Sequence, residues 1–210
     1  MGHAYGHDHH KPDGYFSTLV SGPATPLVAL ADAKAFLRVT SSAEDDIVTA
    51  LVQAATDYMD AESGILGRAL ITQRWQLTLP YFPARGHVDL PVPKVQQVTG
   101  ITYYDEDNAQ QTLSTDVYRL TVNGEIACID LEEGESWPAT YARADAVAIQ
   151  YDAGYGDDPA DVPQAIRTAA LMMVAQWYDN RMASADKVYS EMPFGARALL
   201  MNYRLTKGHI

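Results

Sequence analysis

Three groups of carboxylates and one of histidines are the residues that could do chemistry. Asp157, Asp158 and Asp161 crowd a glycine turn ahead of Pro163, and Asp105, Glu106 and Asp107 lie together upstream. Clustered carboxylates are what a hard cation such as calcium binds. A calcium loop also needs a central glycine and a late bidentate Glu, and Asp157–Asp161 lacks the latter. That segment reads better as negative charge at the start of a coming helix, and the Asp105 group as a solvated hairpin turn. Glu132, Glu133 and Glu135 form the third group. General acid–base work needs two carboxyls in different environments, whereas three in one loop stay solvated and equivalent. His3, His7, His9 and His10 sit beside Asp8 and are adventitious zinc or nickel ligands at most. No rigid element orients them. No phosphate loop, nucleophile elbow or paired metal-binding His motif occurs. Gly154 and Gly156 supply backbone freedom between a strand and a helix. The residues therefore call for no catalytic metal and no cofactor.

The charge balance narrows the partners. Lys plus Arg number 15 against 27 Asp plus Glu, a formal net charge of −12. Binding a polyphosphate over a broad face needs a cation per phosphate contact, so that function is disfavoured. An acidic wall that DNA passes without sticking is compatible. One cysteine, Cys128, excludes an internal disulfide framework and a Cys-based zinc site. It falls in an alternating run, where a small buried hydrophobe is favoured over a reactive thiol. No window reaches the ~18 apolar residues of a membrane span, and no signal-peptide core opens the chain. An intracellular, soluble protein with no membrane partner is expected.

The elements that would position these residues follow from period. Residues 1–26 are rich in Gly and Pro without sustained period and read as a flexible arm. Leu30, Ala33, Phe36 and Leu37 share a helical face. Ser41 with Glu44, or Ser42 with Asp45, offers a capping box for a longer helix. Its apolar stripe is Ile47, Leu51, Ala54, Ala55 and Tyr58, and Gly64 is its expected stop.

From residue 69 the period becomes two. Ile71, Trp75, Leu77 and Leu79 alternate with polar residues. Flanking prolines confine Val88–Leu90 to a short or edge strand. Further strands are predicted at 95–104, at Tyr118, Leu120 and Val122, at Ala127, Ile129 and Leu131, and at Val147, Ile149 and Tyr151. Asn123-Gly124 between two of them signals a hairpin with both residues at positive φ.

Helix returns with Pro163 at its first position, burying Ile166, Ala169, Ala170, Met173, Trp177 and Tyr178. A last short helix spans 193–203, with Ala196, Leu199, Leu200 and Tyr203 inside. Arg181 follows the long helix, where it suits the negative end of the dipole or an acidic neighbour across an interface; structural use outweighs catalysis. The predicted fold is α+β: mainly a helical bundle formed by the N- and C-terminal helices, with a central β-rich insertion.

In order, Leu30-Ala31-Asp32-Ala33-Lys34-Ala35-Phe36-Leu37-Arg38, Asp45-Asp46-Ile47, Trp75, Leu90-Pro91 with Pro93, Ile101 with Tyr103, and Trp137-Pro138 form a pattern. Ala153-Gly154-Tyr155-Gly156, Trp177-Tyr178-Asp179-Asn180-Arg181, Pro193, and Leu199-Leu200 with Tyr203-Arg204 complete it. Over residues 27–205 the chain resembles the head–tail connector (adaptor) proteins of long-tailed phages and phage-derived gene transfer agents. Residues 1–26 have no counterpart, and Ala29 stands where the family usually has a Ser or Thr cap.

The resemblance implies a connector domain at 27–205 and a C-terminal tail at 206–210. It implies a non-enzymatic part of the virion neck, made in the bacterial cytoplasm. Copies would form a ring, typically of twelve, between the portal and the next neck or tail component, such as a head-closure or stopper protein. DNA would pass through the ring without specific binding. The C-terminal segment would dock on the portal, here through Leu199, Leu200, Tyr203, Arg204 and Lys207. Trp177, Tyr178 and Arg181 are candidate interface residues. The alternatives are a head-closure or tail-terminator protein, or a metal-dependent small-ligand binder or enzyme using Glu132, Glu133, Asp157 and Asp158. Ring surfaces of two kinds would come from the β insertion and its unpaired strand edges.

Overall fold

A computed structural model describes residues 15–61, 63–180 and 192–205. They fall into two compact units. One is Ser21–Gln73 with Ala153–Leu205; the other is Arg74–Asp152 with the N-terminal stretch up to Val20.

The first unit is helical. It holds α1 (Leu30–Leu37), α2 (Asp45–Met59), α3 (Gln164–Asp179) and α4 (Phe194–Leu200). α1 starts without a side-chain cap at Ala29, and the Ala29 carbonyl accepts from Ala33 N–H at 3.0 Å. Arg38 ends it at φ 57°, so that its N–H and that of Val39 meet the Ala35 and Lys34 carbonyls. Ser41 Oγ accepts from Ala43 N–H and opens a single 3₁₀ turn, Ser42–Glu44, ahead of α2. Lys34 of α1 pairs with Asp45 in the first turn of α2.

The buried stripe of α2 is one residue off the expected one. Val48, Val52, Ala55, Thr56 and Met59 face the core, while Ile47 is exposed and Leu51 and Tyr58 are half-buried. The helix has apolar residues on two adjacent faces, and period alone does not say which face meets α3. Likewise Phe36 of α1 points outward. α2 also ends sooner than Gly64, at Asp60, whose extended backbone turns the chain away. Pro163 sits at the cap of α3 instead of its first turn. The core joins these elements through Leu27, Ala33, Leu66, Leu70, Ile166, Met173 and Leu200, so the N- and C-terminal helices do share one interior.

The second unit is all β. Its strands are β1 (Phe16–Ser21), β2 (Gln73–Leu79), β3 (His87–Leu90), β4 (Val95–Tyr104), β5 (Gln110–Thr112), β6 (Tyr118–Asn123), β7 (Ile126–Leu131) and β8 (Val147–Ala153). A five-stranded sheet has the order β1-β2-β8-β4-β5, and a three-stranded sheet the order β3-β7-β6. The β4–β5, β3–β7 and β6–β7 pairs are antiparallel. β2 alternates strictly, burying Gln73, Trp75, Leu77 and Leu79. Val147, Ile149 and Tyr151 of β8 are fully buried, as are Ile101 and Ile129.

This corrects the expectation of a mainly helical bundle. The fold is α+β, but the strands form two sheets with a core of their own, not an appendage of the helices. β1 lies within residues 1–26, and β5 was not legible at all. The Asn-Gly hairpin forms one residue later than predicted: Asn123 pairs with Ile126, and Gly124-Glu125 make the turn. Gly124 alone has positive φ (65°), because Gly at the first turn position suffices in the II′ geometry.

Candidate functional site

Several of the clustered carboxylates have local structural partners. Asp158 caps the 3₁₀ turn Pro159–Asp161 by accepting from Ala160 N–H at 2.8 Å, and the Asp161 carboxylate accepts from Asp158 N–H at 3.1 Å. Asp105 accepts from Asp107 N–H, Ala109 N–H and Gln111 Nε2 in the β4–β5 turn. The hydrogen bond from Gln111, then that from Ala109, holds its carboxyl below the ordinary range. Glu132 accepts from Arg119 at 3.0 Å, and Glu133 and Glu135 are exposed. Among the described residues, no group of three or more His, Cys, Asp or Glu is placed to hold a metal ion. His3, His7, His9 and His10 lie outside the described residues.

Cys128 on β7 is half-buried, and its thiol is pushed up to about 11, first by burial and then by Asp130. Trp137 is stacked on Phe82 with centroids 4.7 Å apart, and its Nε1 donates to the Arg85 carbonyl at 3.2 Å. The Trp137-Pro138 mark thus pins a long loop of the β unit.

The aromatic end of α3 is built into the helical unit. Trp177 meets the edge of Tyr58 of α2 at 6.4 Å, and Tyr178 Oη donates to Glu44 Oε2 at 3.3 Å. Both rings are half-buried against the core. Arg181 lies outside the described residues.

α4 carries the exposed apolar surface of the C-terminal segment. Its inner face is Ala196 and Leu200, with Leu199 half-buried. Gly195 packs under the tip of the Met172 side chain of α3, whose Cε would lie 2.5 Å from a Cβ built there. The outer face shows Phe194, 87% exposed, and Met201, 70% exposed, with Arg197 and Ala198 between them. Seven residues apart, Phe194 and Met201 fall on one helical side. A 3₁₀ turn, Met201–Tyr203, extends the helix, and Arg204 beyond it is exposed. Leu205 N–H then donates to the Leu66 carbonyl at 3.1 Å. Of the predicted docking residues, Leu200 is core, Leu199 and Tyr203 are half-buried, Arg204 is on the surface, and Lys207 lies outside the described residues. Phe194 and Met201 escaped sequence reading. Their only signal was a position opposite Ala196 and Leu200 on the helix.

Two carboxylates, the half-buried Asp60 and the buried Asp152, were also missed. Asp60 accepts from Leu70 N–H at 2.8 Å and from Gln73 Nε2 at 2.9 Å; burial raises its carboxyl despite these donors. Asp152 accepts from Arg74 Nε at 2.8 Å, Arg74 Nη2 at 3.1 Å and Gln97 Nε2 at 2.8 Å. The Arg74 hydrogen bonds lower its carboxyl against the opposing effect of burial. Each carboxylate is held by several donors packed against it.

Asp105, Asp158 and Asp161 are used in turns and caps, and α4 buries one side and shows apolar residues on the other. The model of the head completion protein family matches residues 26–205. The chain belongs to that family, in agreement with the resemblance to head–tail connectors. No curated protein matches it in sequence. Among solved structures, it is similar to a chain in the neck of an empty GTA particle computed with C6 symmetry: 23% identity, TM-score 0.74, covering 91% of this chain and 96% of that one. A chain in the virion of a native gene transfer agent (GTA) particle has 24% identity and TM-score 0.72, with 90% and 95% covered. A chain in the neck of a native GTA particle computed with C12 symmetry has 23% identity and TM-score 0.65, with 90% and 96% covered. These likenesses describe the fold.

Proposed function

We propose that this protein is a structural, non-enzymatic neck subunit that forms a ring, of twelve copies, between the portal of the filled head and the next neck or tail component. Membership of the head completion family over residues 26–205 carries the reading. The fold shared with chains from GTA necks computed with C6 and C12 symmetry supports the ring. The acidity supports a channel through which DNA passes without adhering.

The portal-facing element is the α4 segment. Its outer residues Phe194, Arg197, Met201 and Arg204 offer the apolar anchors and cations that docking on another protein uses. Leu200 holds that segment on the core and does not itself dock.

The test is electron microscopy of purified protein mixed with portal. Rings decorating portal are expected. Met201→Asp with Arg204→Glu should abolish decoration and leave the melting temperature unchanged. A monomer that never decorates portal refutes the reading. Point substitutions are used because a deletion of residues 199–210 would also remove the buried Leu200. Tight calcium, zinc or manganese binding in calorimetry, outside the histidine stretch, would favour the metal-dependent alternative.

A further inference from the structure

The two ends of the five-stranded sheet differ in a way that a head-to-tail ring can use. β1 ends the sheet on one side and β5 on the other. In β1, Phe16 is 59%, Leu19 45% and Val20 49% exposed. Residues alternate faces along a strand, so Phe16 and Val20 lie on one face and Leu19 on the other. Edge strands are ordinarily blunted by charges or proline. Phe16-Ser17-Thr18-Leu19-Val20-Ser21 has neither. β5, Gln110-Gln111-Thr112, is exposed throughout and uncharged as well. In a chain of net charge −12, two uncharged sheet edges are where like-charged copies can approach closely.

We infer that β1 adds to the β5 edge of a second copy of this chain, continuing the sheet from subunit to subunit. The proposal rests on the ring reading above and names its contact. Main-chain hydrogen bonds would set the register, and Phe16, Leu19 and Val20 would cover the neighbour on both faces. Because β1 and β5 are different surfaces, each copy keeps one of each free for the next, the condition for a ring. Pairing of β1 with β1 would be self-complementary and stop at a dimer.

The test uses the full chain with Leu19→Glu and, separately, Thr112→Glu, by sedimentation velocity and negative-stain microscopy. Wild type should form closed oligomers. Each folded variant should need about tenfold more protein to assemble, a shift of ~1.4 kcal/mol in association. Rings from either folded variant at wild-type concentration overturn the inference and leave the ring reading standing. A wild-type dimer that Leu19→Glu dissolves and Thr112→Glu does not establishes β1–β1 pairing instead. Wild type that never assembles, with or without portal, overturns the ring reading and this inference together. If Leu19→Glu does not fold, the exposed Thr112 position decides.

Discussion

Gly154 lies directly against the backbone of Ile71. A Cβ on Gly154 would stand 2.6 Å from the Ile71 carbonyl carbon and 2.6 Å from Thr72 N, and its φ is +146°. Beside it Tyr155 N–H donates to the Leu70 carbonyl and Thr72 N–H to the Gly156 carbonyl, both at 2.9 Å. The Ala153-Gly154-Tyr155-Gly156 mark is thus a seam of backbone on backbone, which only a residue without a side chain allows.

Gly154→Ala should therefore cost ~2–4 kcal/mol, from overpacking against immovable backbone and from an unfavourable φ. At Gly156 the obstacle is Asp161, whose Oδ2, Cγ and Cβ would lie 2.1, 2.5 and 2.7 Å from a built Cβ. The carboxylate can swing away at the expense of its capping bond, but Asp161 Cβ moves only with its backbone, so Gly156→Ala should cost ~1–3 kcal/mol, less than Gly154→Ala, which adds a positive φ. Urea titration of both variants checks the order; equal losses would contradict it.

Asp60→Ala should destabilise by ~2–4 kcal/mol, since it strands the Leu70 N–H and the Gln73 amide. Asp60→Asn tests the charge. The folded carboxyl is raised, mainly by burial, so the native state holds the proton more tightly than the unfolded chain. Stability from this group falls as pH rises from the unfolded value through the raised one. Asn should flatten that slope in chemical denaturation followed from pH 4 to 7.

Asp152 acts with the opposite sign. Its folded carboxyl is lowered, first by the Arg74 hydrogen bonds. Its contribution is present above the unfolded carboxylate value, near 3.9, and is lost as pH falls through the folded one. Asp152→Asn should lower stability at pH 7 and weaken the acid-side loss below about pH 4. An unchanged acid limb would show that the Arg74–Asp152 pair contributes nothing.

Cys128, with its thiol pushed up to about 11, should resist alkylation. At pH 8 the thiolate fraction is on the order of a hundredfold below that of a free cysteine. Iodoacetamide labelling followed by mass spectrometry should be slow in the native protein and fast in urea. Rapid native labelling would mean the β6–β7 hairpin opens readily.

Local order was readable because period and turn chemistry act over a few residues. Leu30–Leu37, the alternation through Trp75, Leu77 and Leu79, and the β6–β7 hairpin all follow from nearest neighbours along the chain. So does the use of Asp105 and Asp158 in turns and caps, since each accepts from backbone within four residues. Which face of α2 is buried was not readable. Ile47-Leu51-Tyr58 and Val48-Val52-Met59 are equally apolar stripes, and only contact with α3 selects the second.

The sequence by itself determined the type of most elements, though not β1 or β5, together with the absence of a catalytic motif, the acidity and the ordered marks that place the chain in its family. Tertiary structure alone decided the strand order β1-β2-β8-β4-β5, which brings Asp152 to Arg74 across 78 positions. It alone put Leu200 in the core and left Phe194 and Met201 outside. Strand pairing and helix docking are long-range choices, settled by which surfaces exclude water from each other, and no local pattern encodes that partner.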